Sequence, residues 1–175
     1  MVKLLIGIVI AAVLVIGGIA LLSNVSNNND PQVVETTETS TFTIEGEVSK
    51  QGSYALDETV TMAKLIDAAG GLTDNADPRC YFSDAELAPN TTYYIAGRYN
   101  ADDICSNTEI SKVNVNTDNA DTLMTINGIS SSVASSIVSY RNENGTFKTL
   151  EDILKVYGIG NATYRKIRGY IILHN

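Results

Sequence analysis

Two short stretches combine a glycine, an isoleucine and residues able to start a helix: Ile126-Asn127-Gly128-Ile129-Ser130-Ser131 and Val156-Tyr157-Gly158-Ile159-Gly160-Asn161. Their chemistry is anion binding. Glycine lets the backbone turn through positive φ and come close to a ligand, while the start of the next helix presents unpaired N–H groups with a partial positive charge. Together these hold a phosphate. Ile129 and Ile159 anchor the turns in the core, so the expected contact set is Gly128, Ile129, Ser130, Ser131, Gly158, Ile159, Gly160 and Asn161. Around them stand the cations Arg141, Lys148, Lys155, Arg165, Lys166 and Arg168, of which Lys148, Arg165, Lys166 and Arg168 complete the site.

No other chemistry assembles from the residue inventory. There is no nucleophile-elbow motif, no phosphate-loop lysine and no histidine placed beside a nucleophile, since the sole histidine, His174, is the penultimate residue. The acids Asp74, Asp77, Asp84, Glu86, Asp102 and Asp103 all fall in loop-like stretches whose spacing identifies no acid and base for glycan hydrolysis. A metal site needs more His or Cys than the chain offers, and a redox site needs a C-x-x-C pair. Neither catalysis nor a metal or cofactor is expected.

The elements that position the two turns repeat at an offset of about 30 residues. Leu123 matches Ile153, Ile126 matches Val156, Gly128 matches Gly158, Ile129 matches Ile159, Ile137 matches Ile167 and Tyr140 matches Tyr170. Each unit reads helix, tight turn, helix. Asp118 or Asn119 can cap the first helix, Ser130 or Ser131 the second, Thr149 with Asp152 the third and Asn161 the fourth. Gly145 ends the second helix, and an extended lead-in, Lys112 to Thr117, precedes the repeat.

Ahead of it, Phe42 to Val48 and Ser53 to Leu56 alternate apolar and polar around a Gln51-Gly52 turn, which predicts a β-hairpin. Thr59 to Ala69 then predicts a helix stopped by Gly70-Gly71, and Cys80-Tyr81-Phe82 and Tyr93 to Ala96 predict short strands. Ser23 to Thr41 is polar, acidic and without apolar period, a tether unable to bury enough surface to offset its ordering entropy. Leu4 to Leu22 is apolar and uncharged over ~19 residues, enough at ~1.5 Å per residue to cross a hydrocarbon core of ~30 Å.

Lys3 before that run and Asp30, Glu35 and Glu38 after it place the N-terminus inside and the rest of the chain outside a plasma membrane crossed once. A cleaved signal peptide is the competing reading, but its apolar core is only ~7–15 residues long. In an extracytoplasmic domain the two cysteines, Cys80 and Cys105, are expected to form a disulfide closing a loop of ~26 residues, worth ~2–4 kcal/mol.

The chain has 175 residues and a net charge of −8, which taken whole does not suggest nucleic acid. The charge is uneven. About 15 acids against about 5 bases lie up to Ser111, and about 5 against about 7 beyond it, so an acidic front is joined to a mildly basic tail. The expected organisation is α+β and multi-domain: residues 1–22 anchor, 23–41 linker, 42–111 a small β-rich domain and 112–175 an all-α domain.

Ile44 to Val48, Gly52-Ser53-Tyr54 and Leu65 to Thr73 resemble the SLBB domain, a small β-grasp module of bacterial surface and export proteins. The resemblance fades after Asp77, and the segment from Arg79 to Asn107 departs from the family pattern. It implies binding or self-association without chemistry. Val113 to Thr117, Ile137 to Phe147 and Leu150 to Leu154 resemble the tandem helix-hairpin-helix domain. Behind an anchor and an SLBB-like module, that pair resembles the ComEA-like family of membrane-anchored DNA receptors of bacterial competence.

The resemblance implies sequence-independent binding of double-stranded DNA through its phosphates, passage of the DNA to uptake-channel proteins, and self-association through the front module. Two departures favour a plain packing or protein-interaction role: Ser130 stands where the second glycine is usual, and Val133 and Ala162 occupy positions usually basic after each hairpin. With the remaining bases, Arg165, Lys166 and Arg168 among them, gathered near the second hairpin, the first is expected to be the weaker site. The rival readings are a surface polysaccharide-binding or export protein whose helix-hairpin-helix domain contacts protein, and an enzyme subunit or nuclease.

Overall fold

The chain's extended and helical segments alternate in the order β-hairpin, helix, strand, then four helical segments closed by a strand pair. A computed structural model describes residues 39–56, 59–100 and 108–175. The expected anchor, and the linker as far as residue 38, lie outside the described residues. Among those described, no helix is long and apolar enough to cross a membrane.

Strand β1 (Ser40–Gly46) begins within the expected linker and pairs antiparallel with β2 (Gly52–Leu56). Phe42 and Ile44 alternate inward, as the period-2 pattern predicts. Gly52, expected in the turn, lies in the strand. On its other side β1 pairs parallel with β3 (Thr92–Ile95), giving the order β2-β1-β3.

Helix α1 (Met62–Ala68) starts later than expected because Thr61 is its cap, while Val60 spends its carbonyl on the Leu87 N–H. It ends in a Schellman motif, with Gly70 N–H on Asp67 C=O and Gly71 N–H on Ile66 C=O. The strand expected at Cys80-Tyr81-Phe82 is instead preceded and displaced by a 3₁₀ turn, Pro78–Cys80. Asp77 caps it and Pro78 presets its first φ. Cys80 is a buried free thiol whose Sγ accepts from Ala96 N–H, and burial pushes its pKa up to about 12. The expected disulfide is therefore not seen at Cys80; Cys105 itself lies outside the described residues.

The tail is not all-α. Strand β4 (Val113–Asn114) pairs parallel with β5 (Ile171–Ile172), so the lead-in and the C-terminal apolar run close the repeat. Asn116 secures the closure by donating to Phe147 and Leu173 carbonyls. Between them come α2 (Ala120–Leu123), α3 (Ser131–Asn144), a 3₁₀ helix (Leu150–Lys155) and α4 (Asn161–Ile167).

Front and tail share one continuous apolar core, from Phe42 and Leu65 to Ile137 and Ile167, within a single compact unit, Thr37–Asn175. A buried ion cluster ties the junction. Asp77 accepts from the Arg79 guanidinium and from Lys112 Nζ at 2.8 Å, and Lys112 also donates to Gly97 C=O. Burial alone would raise the Asp77 carboxyl, but the bonds from Arg79 and Lys112 outweigh it and hold the pKa well below the usual carboxylate range.

Candidate nucleic-acid interface

Both turns are made by the same backbone bonds. After α2, Ile126 N–H donates to Leu123 C=O at 3.3 Å and Ile129 N–H to Ile126 C=O at 3.1 Å. After the 3₁₀ helix, Val156 N–H donates to Ile153 C=O and Ile159 N–H to Val156 C=O, both at 3.1 Å. The apolar residues Ile126, Ile129, Val156 and Ile159 that flank the turns are all buried. The first helix of the second unit is 3₁₀ rather than α; there Asp152 reaches back to the N–H groups of Lys148 and Thr149, the reach-back half of the expected capping box. In the first unit Asn119, not Asp118, is the cap, accepting from Thr122 N–H.

Gly128 and Gly158 sit at φ +119° and +92°, where a side chain is strained. What lies against them shows how the units are joined. A Cβ on Gly128 would stand 3.2 Å from Lys166 Cδ and 3.3 Å from Ile167 Cγ2, both on α4; one on Gly158 would stand 3.3 Å from Val133 Cγ2, on α3. Each hairpin therefore rests on the second helix of the other unit. The two turns belong to one rigid body, and Lys166, expected to serve the second hairpin, lies beside the first.

The helix starts differ. Ser130 caps α3, its Oγ accepting from Val133 N–H at 3.4 Å, and Ser131 is the first helical residue. In the second unit the cap is Gly160, not Asn161, which is the first residue of α4. Gly160 has extended backbone (φ −101°, ψ 178°) and open space where a Cβ would be, so neither conformation nor packing demands a glycine there. No side chain caps α4, and its first N–H groups stay open to a ligand.

The cations divide. Arg165 and Lys166 are exposed on α4, with Arg165 Nε only loosely set toward Asn161 C=O at 3.4 Å. Arg168 is committed elsewhere: Nη1 bonds Glu45 at 3.0 Å and the guanidinium lies 3.9 Å over the Tyr94 ring, joining tail to front. Lys148 is exposed but stands 5.6 Å from the Phe82 ring centroid, at the same junction. Lys155 pairs with Asp152 at 2.6 Å. Arg141 donates to Val115 C=O. The free positive charge near the hairpins thus reduces to Arg165 and Lys166.

Two residues carry signals the sequence pattern did not reveal. Tyr157, at the tip of the second hairpin, is 91% exposed. Glu151 is buried at the junction: its Oε1 accepts from Tyr94 N–H at 2.9 Å and from Tyr164 O–H at 2.5 Å, while Oε2 has no partner. Burial pushes its carboxyl up to about 7, against the lowering effect of those two bonds. Among the described residues no group of His, Cys, Asp and Glu is arranged to hold a metal.

Comparison with known proteins follows this division. The helix-hairpin-helix motif model matches residues 108–172 and the SLBB domain model residues 41–81. ComE operon protein 1 of Bacillus subtilis (strain 168) is 33% identical over 153 residues, covering 82% of this chain and 73% of the relative. Endonuclease/exonuclease/phosphatase family domain-containing protein 1 of Mus musculus is 42% identical over 57 residues, 33% of this chain and 10% of the relative. An uncharacterised protein of Neisseria meningitidis serogroup B is 39% identical over 59 residues, 34% of this chain and 8% of the relative.

Proposed function

The chain belongs to the family of ComE operon protein 1, and we propose on that basis that it is a DNA receptor of bacterial competence, binding duplex DNA through its phosphates without reading sequence. It is not an enzyme. The observation that carries the reading is the pair of positive-φ glycine turns, each packed on the other unit's helix, which presents two anion-binding corners at fixed separation. Such corners hold phosphates of a duplex and position it, contacts that carry no sequence information.

The apolar run Leu4 to Leu22 supports a single membrane anchor, with the binding modules outside the cell and DNA handed on to uptake-channel proteins. Self-association through the front module would raise the avidity of several receptors for one duplex. With a net charge of −8, attraction must be local. Two free cations give a shallow salt dependence, a slope of about −2 in log K against log salt, and an affinity of roughly 10⁻⁴–10⁻⁶ M.

Fluorescence anisotropy with two labelled duplexes of unrelated sequence, titrated at low and moderate salt, tests this. Equal affinity for both, falling with salt, is expected. No binding at low salt, or binding indifferent to salt, overturns it.

A further inference from the structure

Tyr157 is the most exposed of the large apolar side chains in the described residues, 91% against 49% for Tyr170, 41% for Tyr99 and 38% for Met124. Its exposure is built in. Val156 and Ile159 on either side are buried, the Ile159 N–H to Val156 C=O bond fixes the turn, and Gly158 at φ +92° sends the chain back at once. With Val156 before it and Ile159 two residues after it held in the core, the ring is left pointing into solvent. An aromatic ring held in water forgoes the burial it would gain in the core. The equivalent position in the first hairpin, Asn127, is polar, so the turn itself does not require an aromatic residue.

We propose that Tyr157 is a DNA-contacting residue. Its ring enters the groove beside the strand whose phosphate the second hairpin holds, and packs against the deoxyribose rings there. The inference rests on the duplex-binding reading above and adds to it a contact of different physical kind. Phosphate contacts from Arg165 and Lys166 weaken as salt displaces them, whereas a ring against a sugar or base releases no counterions and is indifferent to salt.

The geometry favours this side of the molecule. Tyr157 lines a shallow groove together with Ser135, Ser136, Ser139, Tyr140, Lys155 and Glu143. The rings and serine hydroxyls suit a sugar edge, while the exposed Glu143 carboxylate keeps phosphates away from that end, so the contact falls on the sugars at the Tyr157 end. The second hairpin is also the one whose helix start no side chain occupies. The asymmetry between the two hairpins is therefore complementary: the first has Lys166 beside its glycine, and the second has open N–H groups and a ring.

The test uses the full-length chain in mild detergent, a labelled mixed-sequence duplex and anisotropy at four salt concentrations. Tyr157→Ala is expected to weaken binding by at least about fivefold at every salt, leaving the slope of log K against log salt unchanged, while Tyr157→Phe binds like the parent. The chain contains no tryptophan. Tyr157→Trp therefore installs a unique fluorophore, whose emission should be quenched or shifted by saturating duplex, while a Tyr54→Trp control on β2 should not respond.

A Tyr157→Ala variant that binds like the parent, or a Tyr157→Trp emission indifferent to duplex, overturns the role of Tyr157 and leaves the duplex reading standing. A parent chain that fails to bind overturns both. Thermal unfolding of each variant confirms that an exposed position has been changed without loss of fold.

Discussion

Glu151 makes the junction between the two halves sensitive to pH in a calculable way. Its carboxyl, drawn into the core to take the Tyr94 N–H and the Tyr164 O–H, has a pKa of about 7 where the ordinary value is 4.5. The folded chain then keeps a proton that the unfolded chain gives up between those two values, so its stability is greatest below pH 4.5 and falls as pH rises through 7. A gap of about 2.5 pKa units corresponds to roughly 3 kcal/mol, a large part of the net stability of a small domain. Asp77 and Asp152, whose pKa values are lowered in the fold, act in the opposite sense and only where carboxylates take up protons, below about pH 4.

Urea unfolding at pH 5 and pH 8 measures the effect. The parent chain should lose about 2–3 kcal/mol between the two, at constant m-value. Glu151→Gln keeps an acceptor for Tyr94 and Tyr164 and replaces the unpartnered Oε2 with an amide group that cannot ionise. It should cost about 1–2 kcal/mol at pH 5, where the parent carboxyl is neutral, and flatten the pH dependence. Equal stability of the parent at the two pH values, or a glutamine variant with the same pH slope, would refute the assignment of the slope to Glu151.

Two further substitutions separate fold from ligand. Gly160→Ser meets no neighbour and no strained backbone, and it supplies the hydroxyl cap that Ser130 gives the first unit; it should stabilise by a few tenths of a kcal/mol while weakening duplex binding, read by thermal midpoint and anisotropy. Lys166→Ala should reduce the salt slope by about 0.9, one phosphate contact, with little loss of stability. Arg168→Ala should do the reverse, since its guanidinium joins Glu45 and Tyr94: a measurable fall in urea midpoint and an unchanged slope.

The hairpins were legible in the sequence because their determinants are local. A glycine between buried β-branched residues, Ile126 and Ile129 in one unit and Val156 and Ile159 in the other, repeated at constant offset, specifies a turn wherever the chain places it. What the repeat could not tell was which unit packs on which. Lys166 and Arg168 look alike as two cations on one helix, yet one lies beside Gly128 and the other is folded under Tyr94. Glu151 reads as an ordinary first-turn acid, and only the arrival of the β3 edge gives it a reason to be buried.

The strand expected at Cys80 gave way because Asp77 and Pro78 are a cap and a first-turn proline, a stronger local instruction than three apolar residues. The C-terminal Ile171-Ile172 showed an apolar run but no partner, since its partner Val113-Asn114 lies at the other end of the tail. Tyr157 was read only as part of the turn, because exposure is a property of the packed hairpin and not of its composition.

The place of β1 in the sheet has a mechanical consequence. It is the strand into which the first 39 residues lead, and it is the central one, bonded to β2 on one side and β3 on the other. Its ladder bonds run across the strand, so a pull along its axis at Ser40 loads both ladders in shear, many bonds sharing the force at once. An edge strand in that position would carry the same pull on one ladder only. Tension drawn along β1 from the chain ahead of it is therefore shared between two ladders at once.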